Sequence, residues 1–245
     1  MKRAFFNSLR VIVLLGAMMG AALSLAAPAA AYEVSPLRIF LEPASGKRAA
    51  TISVNNTRDD ALFIEVKVFR RVVERDGSQT LVPNDDAFVV FPPQRRIDPK
   101  SSQAVRIQFA GELQEGRSES YVVQITEVPV DQTGFSGVRF TYNFGVAVYV
   151  DPPRVQPKLL ASAGVVRDGV LSFTVRNDGP AYGFTTGHAL RMNSADSTVT
   201  IEPAELAERV SMPIIPPYSE RDFNFPVEGL ADGPLAAVEL LDRTD

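Results

Sequence analysis

Over residues 138–150 every even-numbered position is large and apolar: Val138, Phe140, Tyr142, Phe144, Val146, Val148 and Val150. The odd-numbered positions are polar or small until Tyr149. A strand sends successive side chains to opposite faces, so this period of two predicts one long strand with an apolar ridge along one face. Such a ridge needs a cover, either the protein's own core or another chain. Shorter runs rich in Val, Ile, Phe and Thr recur at 50–54, 62–70, 104–109, 121–126, 170–175, 199–202 and 222–225. Turn formers lie between them, among them Asn55-Asn56, Asp76-Gly77 and Asn177-Asp178-Gly179-Pro180. No segment holds a helical period over three turns, and residues 204–210 predict a short helical turn at most. Many short strands at regular spacing predict an all-β chain of sandwich type.

Proline density divides the chain. Asp151-Pro152-Pro153-Arg154 ends the alternating run and Pro157 follows. Each proline removes a ladder donor, so a central strand cannot continue there. The division predicts one unit over 32–153 and a second over 154–245, each the size of an immunoglobulin-like sandwich. The Pro-rich joint predicts two domains at a fixed angle with a cleft between them.

The first residues read as a leader rather than as structure. Lys2, Arg3 and Arg10 precede and open an apolar stretch over 11–25, and Ala29-Ala30-Ala31 supplies the small residues of a cleavage site. Residues 1–31 are thus expected to be a secretory signal peptide, with Tyr32 as the new N-terminus. No later stretch is apolar and long enough for a helical span, so no membrane insertion is expected.

The formal net charge is −4, and the leader carries three bases and no acid, so the exported chain is more acidic still. That balance argues against a nucleic-acid partner. The chain has no cysteine and one histidine, His188. Thiol catalysis, disulfides and multi-histidine metal sites are therefore absent from the reading. Asp85-Asp86 lacks the ligand spacing of a calcium loop. Arg95-Arg96 with Asp98 reads as the brace of a turn. Asn55-Asn56-Thr57 is formally a glycosylation acceptor and reads equally well as a turn.

Four segments carry a resemblance. Val34-Ser35-Pro36-Leu37-Arg38-Ile39-Phe40 looks like a first strand bearing a basic residue. Residues 92–99 followed by Val105-Arg106-Ile107 form a proline–arginine–proline turn before a strand. Residues 117–121, running on to Glu127-Val128-Pro129, are the third, and Ile214-Ile215-Pro216-Pro217-Tyr218-Ser219-Glu220-Arg221 is the fourth. In this order they resemble the periplasmic pilus-assembly chaperones of PapD-like type.

The resemblance implies two immunoglobulin-like domains, a periplasmic location, and neither catalysis nor a cofactor or metal. It also implies a mechanism in which the chaperone lends an edge strand to an exported pilus or fimbrial subunit lacking its last strand, then delivers it to an outer-membrane usher. Val138, Phe140, Tyr142 and Phe144 would enter the subunit, while Val146, Val148 and Val150 pack at home. Arg38 would hold the subunit's C-terminal carboxylate. The family's usual donor-strand lysine has no counterpart; its place is expected at Gly145 or Val146. Self-association of the free protein is one way to cover the ridge. A secreted β-sandwich subunit of a surface fibre is the alternative reading.

Overall fold

The computed structural model describes residues 32–113, 116–130 and 140–242; the expected leader at 1–31 and Val138 lie outside the described residues. Among the described residues the first unit is built from β1 (Tyr32–Ser35), β2 (Arg38–Leu41), β3 (Ala49–Asn56), β4 (Leu62–Val73), β5 (Gln79–Pro83), β6 (Phe88–Phe91), β7 (Gln94–Ile97), β8 (Ser102–Phe109), β9 (Glu119–Glu127) and β10 (Asn143–Val150). One sheet has the order β1-β3-β8-β6; the other has β2-β10-β9-β4-β5, with β7 also paired to β4. Alternate residues of each strand turn inward. Ile52, Val54, Val105 and Ile107 from one sheet meet Ile64, Val68, Val123 and Ile125 from the other in a single sealed core. The chain changes sheet early: β1 pairs with β3, and after Pro36 and Leu37 the chain joins the opposite sheet as β2. That crossing decides how much of β10 gets covered.

The second unit comprises β11 (Leu159–Ala161), β12 (Val165–Arg167), β13 (Val170–Asn177), β14 (Gly183–Phe184), β15 (His188–Asn193), β16 (Thr198–Ile201), α1 (Pro203–Arg209), β17 (Ile214–Ile215), β18 (Ser219–Pro226), β19 (Gly233–Pro234) and β20 (Ala237–Asp242). β18 and β12 flank β13, while β16-β15-β20 forms the facing sheet. Leu171, Phe173, Leu190, Met192 and Val238 make a second, separate core. Helix α1 starts on Pro203, whose missing N–H costs nothing at a first turn, and it buries only Leu206.

Each unit ties its loops with one buried asparagine. The Asn56 amide donates to the carbonyls of Asp60, Ile97 and Asp98. Asn177 does the same for Ala181, Ile215 and Pro216. Both lie in turn-like sequence, but both close a strand, and the turn follows them.

Among the described residues, aromatic packing, a backbone hydrogen bond and an ion-pair cluster join the two units. Phe40 and Tyr149 stack at 5.2 Å, and Tyr149 meets Tyr182 and Phe184 of the second unit edge-on at 5.3 and 5.1 Å. The Ser118 N–H donates to Pro180 O at 2.9 Å. At the tip of the β4–β5 hairpin, Arg75 pairs with Glu220 and Asp222, and its carbonyl accepts from the buried Arg221 side chain. Aromatic pairs of this kind contribute about 0.5–1.5 kcal/mol each beyond their burial.

Candidate functional site: an open strand edge and the interdomain cleft

Strand β10 pairs antiparallel with β9 along its whole length, Asn143 to Thr126 through Val150 to Glu119. On its other side it pairs in parallel with β2, but only from Ala147 onward. The Ala147 N–H donates to Leu37 O and the Asp151 N–H to Leu41 O, so odd-numbered residues turn their backbone groups toward β2. By the same alternation Asn143 and Gly145 direct an N–H and a C=O each to that side. Among the described residues no strand meets them, because β2 begins only at Arg38. The result is a sheet edge open over the first half of a strand and closed over the second.

The side chains follow the same division. Val146, Val148 and Val150 are sealed in the first core. Phe144 is half-buried, edge-on to Tyr32 at 4.8 Å, and packs against that core. Tyr142 and Phe140 precede the strand, 39% and 74% exposed. Val138, grouped with them in the sequence, lies outside the described residues. Of the ridge predicted as one strand over 138–150, the described part, from Phe140, is a strand from Asn143 onward. A ladder needs a partner, and β9 ends at Glu127, with Pro129, which has no N–H, just beyond.

A buried brace holds the point where the exposed residues meet the strand. The Tyr142 carbonyl accepts from the Tyr32 hydroxyl at 2.7 Å and from the Glu127 N–H at 3.2 Å. The Tyr142 N–H donates to the Glu127 carboxylate at 3.3 Å. Arg58 grips that carboxylate with two bonds, at 2.6 and 2.7 Å, and its guanidinium lies over the Tyr32 ring. Burial pushes the Tyr32 hydroxyl well above the ordinary phenol range, aided by the neighbouring Glu127 charge. The hydrogen bond to Glu127 raises Arg58, so the guanidinium stays charged. Both backbone groups of Tyr142 are thus fixed by a largely buried cluster, in which Arg58 Nε is left without a hydrogen-bond partner among the described residues.

At the other end of β10 lies the cleft. Arg38 is exposed, and its guanidinium sits 5.0 Å over the Phe184 ring of the second unit. The residue of β10 beside Arg38 is Ala147, which is uncharged. That register follows from β2 running parallel to β10 and starting at Arg38, a pairing that strand-local patterns do not specify. Along the same face, Arg71 is buried at 8% exposure. Its Nε and Nη2 donate to Ser120 Oγ at 3.0 and 2.6 Å, and Nη2 also donates to the Tyr149 hydroxyl at 2.7 Å.

The family described as "Pili and flagellar-assembly chaperone, PapD N-terminal domain" matches residues 32–156, which span the first sandwich with its open edge. The chain belongs to this family. No curated protein sequence matches the chain. Solved structures share its fold at low identity. The CsuC–CsuE chaperone–tip adhesion subunit pre-assembly complex of Acinetobacter baumannii matches at TM-score 0.51 and 16% identity, covering 79% of this chain and 90% of that one. The Salmonella enterica SafA pilin–SafB chaperone complex matches at 0.53 and 17%, covering 82% and 86%. The E. coli chaperone DraB matches at 0.52 and 20%, covering 87% and 97%. The family's work is assembly chaperoning rather than catalysis.

In this pilus-assembly chaperone the sequence brought forward Arg38, Phe140, Tyr142 and Phe144, and the structure sets them apart. Arg38 stands at the cleft end of β10, Phe140 and Tyr142 beyond its start, and Phe144 between, against Tyr32. Sequence reading passed over Arg71, Tyr149, Tyr182 and Phe184. One signal was present: in the alternation of β4, Arg71 falls on the face opposite Ile64, Val66 and Val68, the face on which it meets Ser120 and Tyr149. Among the described residues no group of three or more His, Cys, Asp or Glu could hold a metal. His188 pairs with Asp242 at 3.1 Å, away from both ends of β10.

Proposed function

We propose that this chaperone binds newly exported pilus or fimbrial subunits by adding the open half of β10 to a subunit's incomplete sheet, and passes them to an outer-membrane usher. The half-covered strand carries the proposal: Asn143 and Gly145 offer backbone groups where β2 does not reach, and Phe140 and Tyr142 stand exposed just before them. An added strand would satisfy both open edges while those rings, with Val138, enter the subunit's apolar groove. Phe144 contributes its outer half and keeps its contact with Tyr32. Arg38 takes the subunit's terminal carboxylate, its guanidinium presented on the Phe184 face. The leader at 1–31 directs export to the periplasm, the unit at 32–153 donates the strand, and the unit at 154–245 forms the far wall of the cleft. The relatives bound to a pilin or a tip adhesion subunit support the choice of partner.

Coexpression with a cognate subunit tests this reading. A one-to-one complex is expected for the native chain. Phe140→Asp with Tyr142→Asp should abolish it while leaving the thermal midpoint of the free chaperone in place. A doubly changed protein that still holds its subunit would overturn strand donation. Phe144→Asp is a poor probe, because it also charges the chaperone's own core.

A further inference from the structure

We infer that the tip of the β4–β5 hairpin is a positioning element for Arg38: it clasps the second unit through Arg221 and so keeps the Phe184 ring beneath the Arg38 guanidinium. The inference rests on the role proposed above for Arg38 in holding a subunit's carboxylate.

The hairpin is built to reach across. Pairing of β4 with β9 ends at Arg70, while β4 and β5 stay paired as far as Val73 and Gln79. Every residue of β5 is exposed, so this arm is no part of the first core. Its tip ties itself: the Glu74 N–H donates to Ser78 O at 2.9 Å, and the Ser78 N–H and hydroxyl donate to the Asp76 carboxylate at 2.8 and 2.7 Å. Strand β18, where the tip lands, pairs only with β13 among the described residues and so leaves one edge free. The Asp222 N–H on that edge donates to the Arg75 carbonyl at 2.9 Å.

Arg221 turns this landing into a link. Its guanidinium is buried and donates to three carbonyls: Arg75 at 3.2 Å from Nε, Ile214 at 2.9 Å from Nη1 and Met212 at 3.3 Å from Nη2. Ile214 is paired with Phe184, between β17 and β14. The Phe184 ring in turn lies under Arg38 and meets Tyr149 edge-on. One unbroken run of contacts thus leads from the hairpin tip to the anchor. The ion pairs of Arg75 with Glu220 and Asp222 contribute little to the hold, because those side chains are 40–60% exposed. Gly77 contributes more. Its φ is +93°, and a Cβ there would overlap Arg221 Nη2, so glycine lets the tip settle on the pinned guanidinium.

Units joined by small, polar contacts swing by default. Here the contacts lie toward both margins of one sheet, Phe40 and Tyr149 on β2 and β10, Arg75 just past the end of β4. Releasing the hairpin leaves the aromatic set as a pivot, and the wall behind Arg38 loses its fixed place.

The chain has no cysteine, so Ser53→Cys with Ala195→Cys places one spin label on an exposed site of each unit. Pulsed double electron–electron resonance should give one dominant distance in the otherwise native chaperone. Gly77→Val should abolish that dominance, and Gly77→Ala, a milder change, should broaden the peak in the same direction. Both should keep the native circular dichroism, since Gly77 lies in neither core. Subunit binding then tests the link to Arg38 through a double-mutant cycle. Gly77→Val should weaken binding about three- to tenfold, part of the loss expected of Arg38→Ala. The same loss should appear in a Phe140→Ala background and vanish in an Arg38→Ala background or against a subunit amidated at its C-terminus. A native distance peak in both Gly77 variants would sink the clasp, and a loss undiminished in Arg38→Ala would sink its action on the anchor. Were the native chaperone to hold no subunit, strand donation would fall while the distance peak still decided the clasp.

Discussion

Truncating Phe140 to alanine separates a ring kept for a partner from one that serves the fold. Phe140 is 74% exposed and lies outside any strand, so the free chaperone gains little from it. Fully burying a phenylalanine side chain contributes about 1.5–3 kcal/mol, and with most of its surface still bare Phe140 can supply about 1–2 kcal/mol on entering a groove. Phe140→Ala should then weaken subunit binding about 5- to 30-fold, at tenfold per 1.4 kcal/mol. The midpoint of urea unfolding should move by no more than about 0.5 kcal/mol equivalent, the usual range for an exposed position. Phe144→Ala is the contrasting case. It removes the edge-on contact with Tyr32 and opens the margin of the core, so stability falls with affinity. Surface-immobilised subunit and purified variants give dissociation rates, where most of the effect should appear. If Phe140→Ala binds as tightly as the native chain, or unfolds as readily as Phe144→Ala, the exposed segment is not the donated one.

Three further outcomes follow from the same geometry. Arg38→Ala should weaken the complex about ten- to a hundredfold, the scale of a charge-assisted hydrogen bond of about 1.5–3 kcal/mol; a subunit with an amidated C-terminus should bind native and variant chaperone alike. Glu127→Ala leaves the Arg58 guanidinium buried without its partner and should cost about 3–5 kcal/mol in urea unfolding, whereas Tyr32→Phe should cost about 1 kcal/mol and speed hydrogen exchange at the Phe144 amide, on the side of β10 that faces β9. Stability should also fall in alkali. Tyr32, Tyr121 and Tyr182 are all held above the ordinary phenol value by burial, so the folded chain keeps protons that the unfolded chain releases above pH 10. Stability from these groups is whole below pH 10 and is lost as pH rises beyond it, and Tyr32→Phe should shallow that decline in a pH series of unfolding curves.

The strands were largely legible because each wrote its alternation locally. The runs at 62–70, 104–109 and 121–126 sit inside β4, β8 and β9, and Val146, Val148 and Val150 fill the core as their even spacing required. The start of β10 was not legible. Phe140 and Tyr142 continue the alternation perfectly well, but β9 gives out at Glu127, and that limit belongs to a partner strand many residues away. The neighbour of Arg38 was hidden for the same reason: parallel pairing with β2 sets it, and no turn in sequence specifies that register. Arg71 was hidden by chemistry, since two adjacent arginines read as solvent-facing until Ser120 and Tyr149 supply acceptors on the sheet face that turns toward the second unit. Pairs as short as β14 with β17 leave no periodic trace at two residues each.

What the brace at Tyr142 contributes is order before binding. Fixing one residue's backbone costs about 1–2 kcal/mol, and a donor segment that ordered itself only on contact would lose that much per residue from its affinity. Here Tyr142 is already held through both of its backbone groups by Glu127 and Tyr32, and β9 holds Asn143 to Val146 from one side. The outer edge therefore stands in strand geometry while its hydrogen bonds are unmade. The same rigidity makes the edge hazardous, because an ordered open strand recruits any free strand. Neither Asn143 nor Gly145 carries the charge that edge strands use for protection, and the nearest described cation on this sheet edge, Arg38, stands at the closed half. A strand left open, braced and uncharged is selective only if its register is fixed elsewhere, and Arg38, one strand over and beside Ala147, just beyond the last free pairing position at Gly145, is placed to fix it.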